Sequence, residues 1–311
     1  MKNNKIKNLF LGKYTFKSII QKIEKKFIFR LDRMIYYNKS KQLQEHINHW
    51  TTYRFLKRKY KEVLNNTPIY QGSGEYSNKV WWCWLQGEDQ APELCQACLD
   101  SLRYHLKDKE IIVITEINMW DYIEFPDYVI KKYNQGIITR THLSDLLRLE
   151  LLIQHGGTWI DSSVFCTGEG KDVFENPLFV YQNFKRGDEA IEASSWLISA
   201  EKNNPILCAT RDLLYEYWKK NDILVHYFLF HFFFKMATEK YHEEWKRMHT
   251  FSNLPPHTLQ FEILDIVSQE RIKQIERMSD FHKLTQKLEL PLNIKGSYYE
   301  YIVNRQWRIA D

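Results

Sequence analysis

Apolar and polar positions along the chain change period several times, and each change marks an element. "KVWWCWL" (79–85) is a short apolar, aromatic run suited to a buried strand. Pro92 then sits where a helix tolerates it, and 92–105 reads as a helix. "EIIVIT" (110–115) is a second strand with β-branched content, and 127–134 reads as a helix. A longer helix runs from about 141 to 155, with Leu143, Leu146, Leu147, Leu149, Leu151, Leu152 and Ile153 around nearly its whole circumference, which predicts burial. Gly156 ends it, as glycine does after a last helical turn. "TWIDSSVFCT" follows as a pair of strands and "PLFVYQ" (177–182) as another. From 205 the pattern turns helical, and "VHYFLFHFFFKMA" (225–237) is apolar almost all round, predicting a buried helix.

Strand and helix alternating in this order predict an α/β fold with a mainly parallel sheet flanked by helices. Ligands of such sheets bind beyond the carboxyl ends of strands, where Asp161 falls.

The first 70 residues follow another pattern. They hold 17 Lys/Arg against 4 Asp/Glu, a surplus of thirteen, whereas the remainder holds 27 against 35, a deficit of eight. Lysines interleave with apolar residues in "NLFLGKYTFKSIIQKIEKKFIFRLDRMIYY", which fits either an amphipathic helix on an anionic membrane or a solvated helical extension. "NNTPIYQGSGEYSNK" (65–79) is loop-like and places a boundary near residue 70, giving a 1–70 extension and a 71–311 domain. The acidic balance of that domain and the lack of a recognised motif argue against a nucleic-acid binder.

Composition adds little to this. With 311 residues, 44% hydrophobic and 27% charged, the chain suits a soluble globular class. Five cysteines in no even framework favour a reducing compartment, with Cys95 and Cys98 as buried helical thiols rather than half of a zinc site. "MKNNKIKNLFLGK" lacks the apolar core of a secretory leader, and no apolar run is long enough to span a bilayer, so the expected location is cytoplasmic.

Chemistry concentrates in the 141–161 segment. Asp145 and Arg148 are three apart and share a helix face. Taken alone, the two read as a structural ion pair or as a ligand site. The helix leads through Gly156-Gly157 straight to Asp161, which gathers two carboxylates and a guanidinium at one sheet edge and favours the ligand.

"VWWCWLQGEDQAPELCQACLDSLR", "GIITRTHLSDLLRLELLIQHGGTWIDSSVFCTG" and "FHKLTQK" (281–287) carry a family resemblance. The chain resembles bacterial capsular polysaccharide synthesis proteins, glycosyltransferases of the GT-A fold akin to family 32 mannosyltransferases and the glucosylating clostridial toxins. The likeness covers roughly residues 75 to 290 and leaves the N-terminal extension outside. The resemblance implies roles. Trp84, with Gln86 beside it, matches the aromatic that stacks on the nucleotide base. Asp145 matches a carboxylate bonding donor-sugar hydroxyls, and Arg148 an arginine near sugar and diphosphate. Asp161 matches the first carboxylate of a D-x-D motif, whereas Ser163 stands where the second, metal-binding Asp would be. His282 and Lys283 would close over the diphosphate.

A weakened Mn²⁺ or Mg²⁺ site at Asp161, with Ser163 as a neutral partner, is the expected cofactor site, since Mg²⁺ needs only one or two protein carboxylates. The implied reaction is retaining transfer of a hexose, UDP-galactose or UDP-glucose being the first guess, to a saccharide or lipid-linked saccharide. Residues 1–60 would then hold the enzyme on the inner face of the cell membrane. A non-catalytic nucleotide-sugar-binding member of a synthesis complex is the alternative.

Overall fold

A computed structural model describes residues 18–26, 40–183, 188–289 and 294–308. Its centre is a six-stranded mixed sheet built from β1 (Lys79–Cys83), β2 (Glu110–Ile114), β3 (Gly157–Ile160), β5 (Leu178–Gln182), β6 (Ala193–Ala200) and β7 (Phe251–Ser252), in the order β2-β1-β3-β6-β5-β7. β1 runs parallel to β2 and β3, β6 runs antiparallel to β3 and β5, and β7 is parallel to β5. β4 (Val164–Cys166) leaves this sheet and pairs antiparallel with β8 (Phe281–Lys283). The expected strand pair after Gly157 is therefore two strands in two different sheets.

Side chains alternate across the strands and bury both faces. Trp81, Trp159, Ile198 and Val180 face one core, and Val80, Trp82, Ile160, Leu197 and Phe179 face the other. The first face is covered by α1 (Lys41–Asn65), α4 (Arg140–His155), α5 (Pro205–Lys220) and α6 (Leu229–Lys240), the second by α2 (Glu93–His105). α3 (Asp127–Asn134) packs through Val129 on the first core. Short helices α7 (His242–Arg247) and α8 (Thr258–Phe261), then α9 (Gln269–Met278) and α10 (Tyr298–Val303), complete the order. A third cluster joins α8, α9 and α10 to the outer side of α2 and to the β4–β8 pair.

The Gly156-Gly157 step has two separate reasons. Gly156 caps α4 at φ 67°. Gly157 has φ 91°, and a Cβ there would lie 2.4 Å from the carbonyl oxygen of Lys79. Only a residue without a side chain lets β3 lie this close to β1.

Two features were not legible in the local pattern. β6, "ASSWLISA", is central to the sheet yet escaped the apolar pattern because serines interrupt it. Those serines are paired inside: Ser194 Oγ donates to the Tyr181 carbonyl at 3.1 Å, and Thr158 donates to Ser199 Oγ at 2.9 Å. The helix before residue 70 also packs on the domain that follows it. Tyr53, Leu56, Tyr60 and Leu64 form an apolar stripe on α1, but it is buried in the main core. The part of the expected membrane segment that lies in 41–60 thus spends its apolar face on the protein itself. Residues 18–26 are helical and leave Ile20 and Ile23 exposed, while residues 1–17 and 27–39 lie outside the described residues. Among the described residues, no helix is long and apolar enough to cross a membrane.

Candidate functional site

α4 lines up three buried polar residues, His142, Asp145 and Arg148, each three residues from the last. The glycine step turns the chain into β3, which carries Trp159 and leads directly to Asp161, the acceptor of the Trp159 indole N–H. The end of β8 brings Lys283 from 122 residues further on. Four charges meet where these three elements converge.

Arg148 Nη1 donates to Asp145 Oδ1 at 2.6 Å, and Nη2 reaches Asp161 Oδ1 at 3.3 Å. The same Oδ1 accepts from the Trp159 indole at 2.8 Å. Lys283 Nζ lies 3.2 Å from Asp161 Oδ2 and 2.8 Å from Ser163 Oγ. Ser163 Oγ in turn donates to the Leu284 carbonyl at 3.0 Å. His142 Nδ1 lies 3.3 Å from Asp145 Oδ2. The guanidinium also lies over the rings of Trp159 and Phe230, at 5.0 and 5.6 Å. Two carboxylates and two cations balance to zero, which is what makes such burial tolerable.

The cluster grades from inside to outside. The Arg148 side chain is 5% exposed, Asp145 13%, Lys283 20% and Asp161 27%. Asp161 and Lys283 therefore form the outer, more exposed end of the cluster. Burial pushes the Asp161 carboxyl up, but Lys283 and Arg148 together outweigh it and hold the group below its ordinary value. The carboxylate stays charged. Arg148 Nε is buried with no partner among the described residues, a donor left unspent within the protein.

The structure brings together Asp145, Arg148, Asp161, Ser163 and Lys283. It separates His282 from them. Neighbouring residues of a strand point to opposite faces, so Lys283 reaches the rim while His282 is fully buried, its Nε2 3.0 Å from Thr167 Oγ1. Burial lowers the His282 pKa to about 4, so the ring is neutral and cannot serve as a cation for a diphosphate. Trp84 continues past β1, its backbone N–H bonded to the Ile114 carbonyl at 3.0 Å, and its half-buried ring packs on the α2 side. Gln86 is exposed in the turn that Gly87 closes at φ 101°. On β1 it is Cys83, on the opposite face from Trp84, whose thiol feels Arg148 and Asp161; burial above all pushes that thiol up to about 12.

Sequence reading missed several participants. Trp159 was accessible, because a two-residue offset from Asp161 on a strand predicts a shared face. His142 was accessible in the same way from helical spacing. Tyr227 had no local signal: it comes from the loop before α6, and its hydroxyl pKa is raised by burial and then by Asp145 and Asp161. Its ring meets His142 edge-on at 6.0 Å.

The expected divalent ion does not fit this donor set. Asp161 already has both oxygens engaged by three donors, and position 163 offers a hydroxyl rather than a carboxylate. An ion shared between 161 and 163 would coincide with the Lys283 ammonium. Among the described residues, no group of three or more His, Cys, Asp or Glu side chains is placed to hold a metal.

Fold and site together define an α/β protein with a charge-balanced cluster at the rim of a mixed sheet. Residues 30–302 match the family model described as "Capsular polysaccharide synthesis protein", and the chain belongs to that family. The match reaches back into the segment that the resemblance had left outside. The curated proteins include no match to the chain. Among solved structures, it is similar to "PaToxG Glycosyltransferase" at 15% identity and a TM-score of 0.39, covering 84% of this chain and 96% of that one.

Proposed function

We propose that the protein is a nucleotide-sugar-dependent glycosyltransferase of capsule or surface-polysaccharide assembly, transferring a hexose with retention of anomeric configuration. The observation that carries the reading is the convergence of Asp145, Arg148 and Asp161, distant in role but joined through one guanidinium. The donor is a UDP-hexose, UDP-galactose or UDP-glucose, and the acceptor a lipid-linked saccharide.

Asp145 and Asp161 accept hydrogen bonds from sugar hydroxyls, while Arg148 and Lys283 face the diphosphate. As the bond between sugar C1 and the diphosphate oxygen breaks, its electron pair stays on the diphosphate. Fixed cations stabilise that growing charge without reorganising, which is where this site lowers the barrier. The acceptor hydroxyl attacks C1 from the same face, and its proton passes to the departing phosphate oxygen. No protein nucleophile is required. Trp84 and Gln86 lie on the nucleotide side, where a ring face stacks on a base at about 1–3 kcal/mol. The exposed Ile20 and Ile23 of the 18–26 helix, with the basic residues around them, hold the enzyme at the anionic inner leaflet where such acceptors reside.

The test is a panel of UDP-sugars with acceptor extract, scored by UDP release in the wild type and in Asp161→Asn. Release that depends on Asp161 supports the enzyme. UDP binding without release from any donor favours the non-catalytic binding member.

A further inference from the structure

The fold family implies a divalent cation at the strand end, and this chain puts a lysine there. The placement is built into the backbone. Val164 pairs with Lys283 across the β4–β8 ladder, Leu284 N–H donates to the Ser163 carbonyl at 2.8 Å, and Ser163 Oγ donates back to the Leu284 carbonyl at 3.0 Å. Two reciprocal bonds thus lock residue 163 against the residue after Lys283. A turn closed by Val164 N–H on the Asp161 carbonyl, at 3.1 Å, presents positions 161 and 163 together. The ammonium sits between them, bonded to both.

Charge accounts for the serine. A carboxylate plus a divalent ion adds one net positive charge at this spot, and a hydroxyl plus an ammonium adds the same. An aspartate at 163 would pair with Lys283 and cancel the charge that a diphosphate needs. Mg²⁺ on Asp161 Oδ2 would bind at about 2.0–2.1 Å. Lys283 already stands 3.2 Å from that oxygen, so dication and ammonium would repel each other at close range.

Resting on the nucleotide-sugar reading above, we propose that Lys283 supplies the positive charge a metal supplies elsewhere in this fold, and that donor binding and transfer need no divalent cation. Lys283 donates hydrogen bonds to the diphosphate oxygens and keeps its proton throughout. Ser163 and Asp161 aim it.

The experiment measures UDP and inorganic pyrophosphate binding by calorimetry, with EDTA and with Mn²⁺, alongside Mn²⁺ binding by paramagnetic resonance. Wild type is expected to bind UDP within about threefold of the same affinity in both conditions, and to take up no Mn²⁺ at that site. Lys283→Met should lose about tenfold or more in UDP affinity, with Lys283→Arg restoring part of it. The double variant Ser163→Asp/Lys283→Met should gain Mn²⁺ uptake and make UDP binding depend on it. UDP binding by wild type that strengthens more than about tenfold with Mn²⁺ would overturn the proposal while leaving the glycosyltransferase reading intact. Failure of both UDP and pyrophosphate to bind under either condition would remove that reading, and the lysine's role with it. The wild-type arms need no variant to fold.

Discussion

Replacing Gly157 with alanine tests how the sheet positions the site. Two costs can be separated. The first is conformational: at φ 91° an L side chain is strained, by roughly 1–3 kcal/mol. The second is steric. The new Cβ would stand 2.4 Å from the Lys79 carbonyl oxygen, and the atom it meets is backbone in the neighbouring strand. It cannot swing aside, so β3 must move away from β1 by about 1 Å, at a further cost of about 1–3 kcal/mol. The expected total is about 4 kcal/mol, lowering the melting temperature by about 10 °C. Gly136 supplies the control: φ is 69°, and nothing lies within 4 Å of its would-be Cβ. Gly136→Ala should cost only the conformational part, about 1 kcal/mol. Thermal melts by circular dichroism give both numbers. Because Asp161 directly follows β3, surviving Gly157→Ala protein should also bind UDP more weakly. Equal melting losses in the two variants would show that close approach to Lys79 does not constrain this step, and the argument would fail.

Arg148→Lys should leave the fold largely intact yet cut transfer at least about tenfold, because one ammonium cannot hold Asp145 and Asp161 at once and loses the contacts with Trp159 and Phe230; initial-rate measurements showing a near wild-type rate would contradict this. Leu56→Ala should cost about 3 kcal/mol, since Leu56 is fully buried between α1 and the main core. A loss below about 1 kcal/mol in urea titration would mean that α1 is a loosely attached extension. Acid should destabilise the protein well above the carboxylate range. Burial holds His231 and His282 near pKa 4 in the fold, against 6.5 when free. Below about pH 6.5 the unfolded chain therefore binds protons that the folded one refuses, and stability drains until about pH 4. Asp161, with its folded pKa depressed, adds its loss only at still lower pH. Melting temperatures that stay flat from about pH 7 to about pH 4.5 would refute this account.

Local pattern carried much of the architecture because burial leaves a period. Trp81 and Trp82 were readable as core, and the helix 141–155 and the strands at 79–85 and 110–115 appear within a residue or two of their expected ends. The polar spacing of Asp145 and Arg148, and the run through two glycines to Asp161, already named half the site. Each of those relations spans few residues, so helical and strand geometry alone set it.

What the sequence could not decide were the relations between distant segments. The basic, amphipathic character of the first 60 residues was visible, but such a pattern looks the same whether it meets a membrane or a protein core; for α1, only packing against α5 and α6 chose. β6 was hidden because serines that find partners inside a sheet read as surface in one dimension. "HKLTQK" offered His282 and Lys283 with equal standing until β8 paired with β4, which turned Lys283 to the rim and His282 inward. Register is a property of two strands together, and neither strand encodes it by itself.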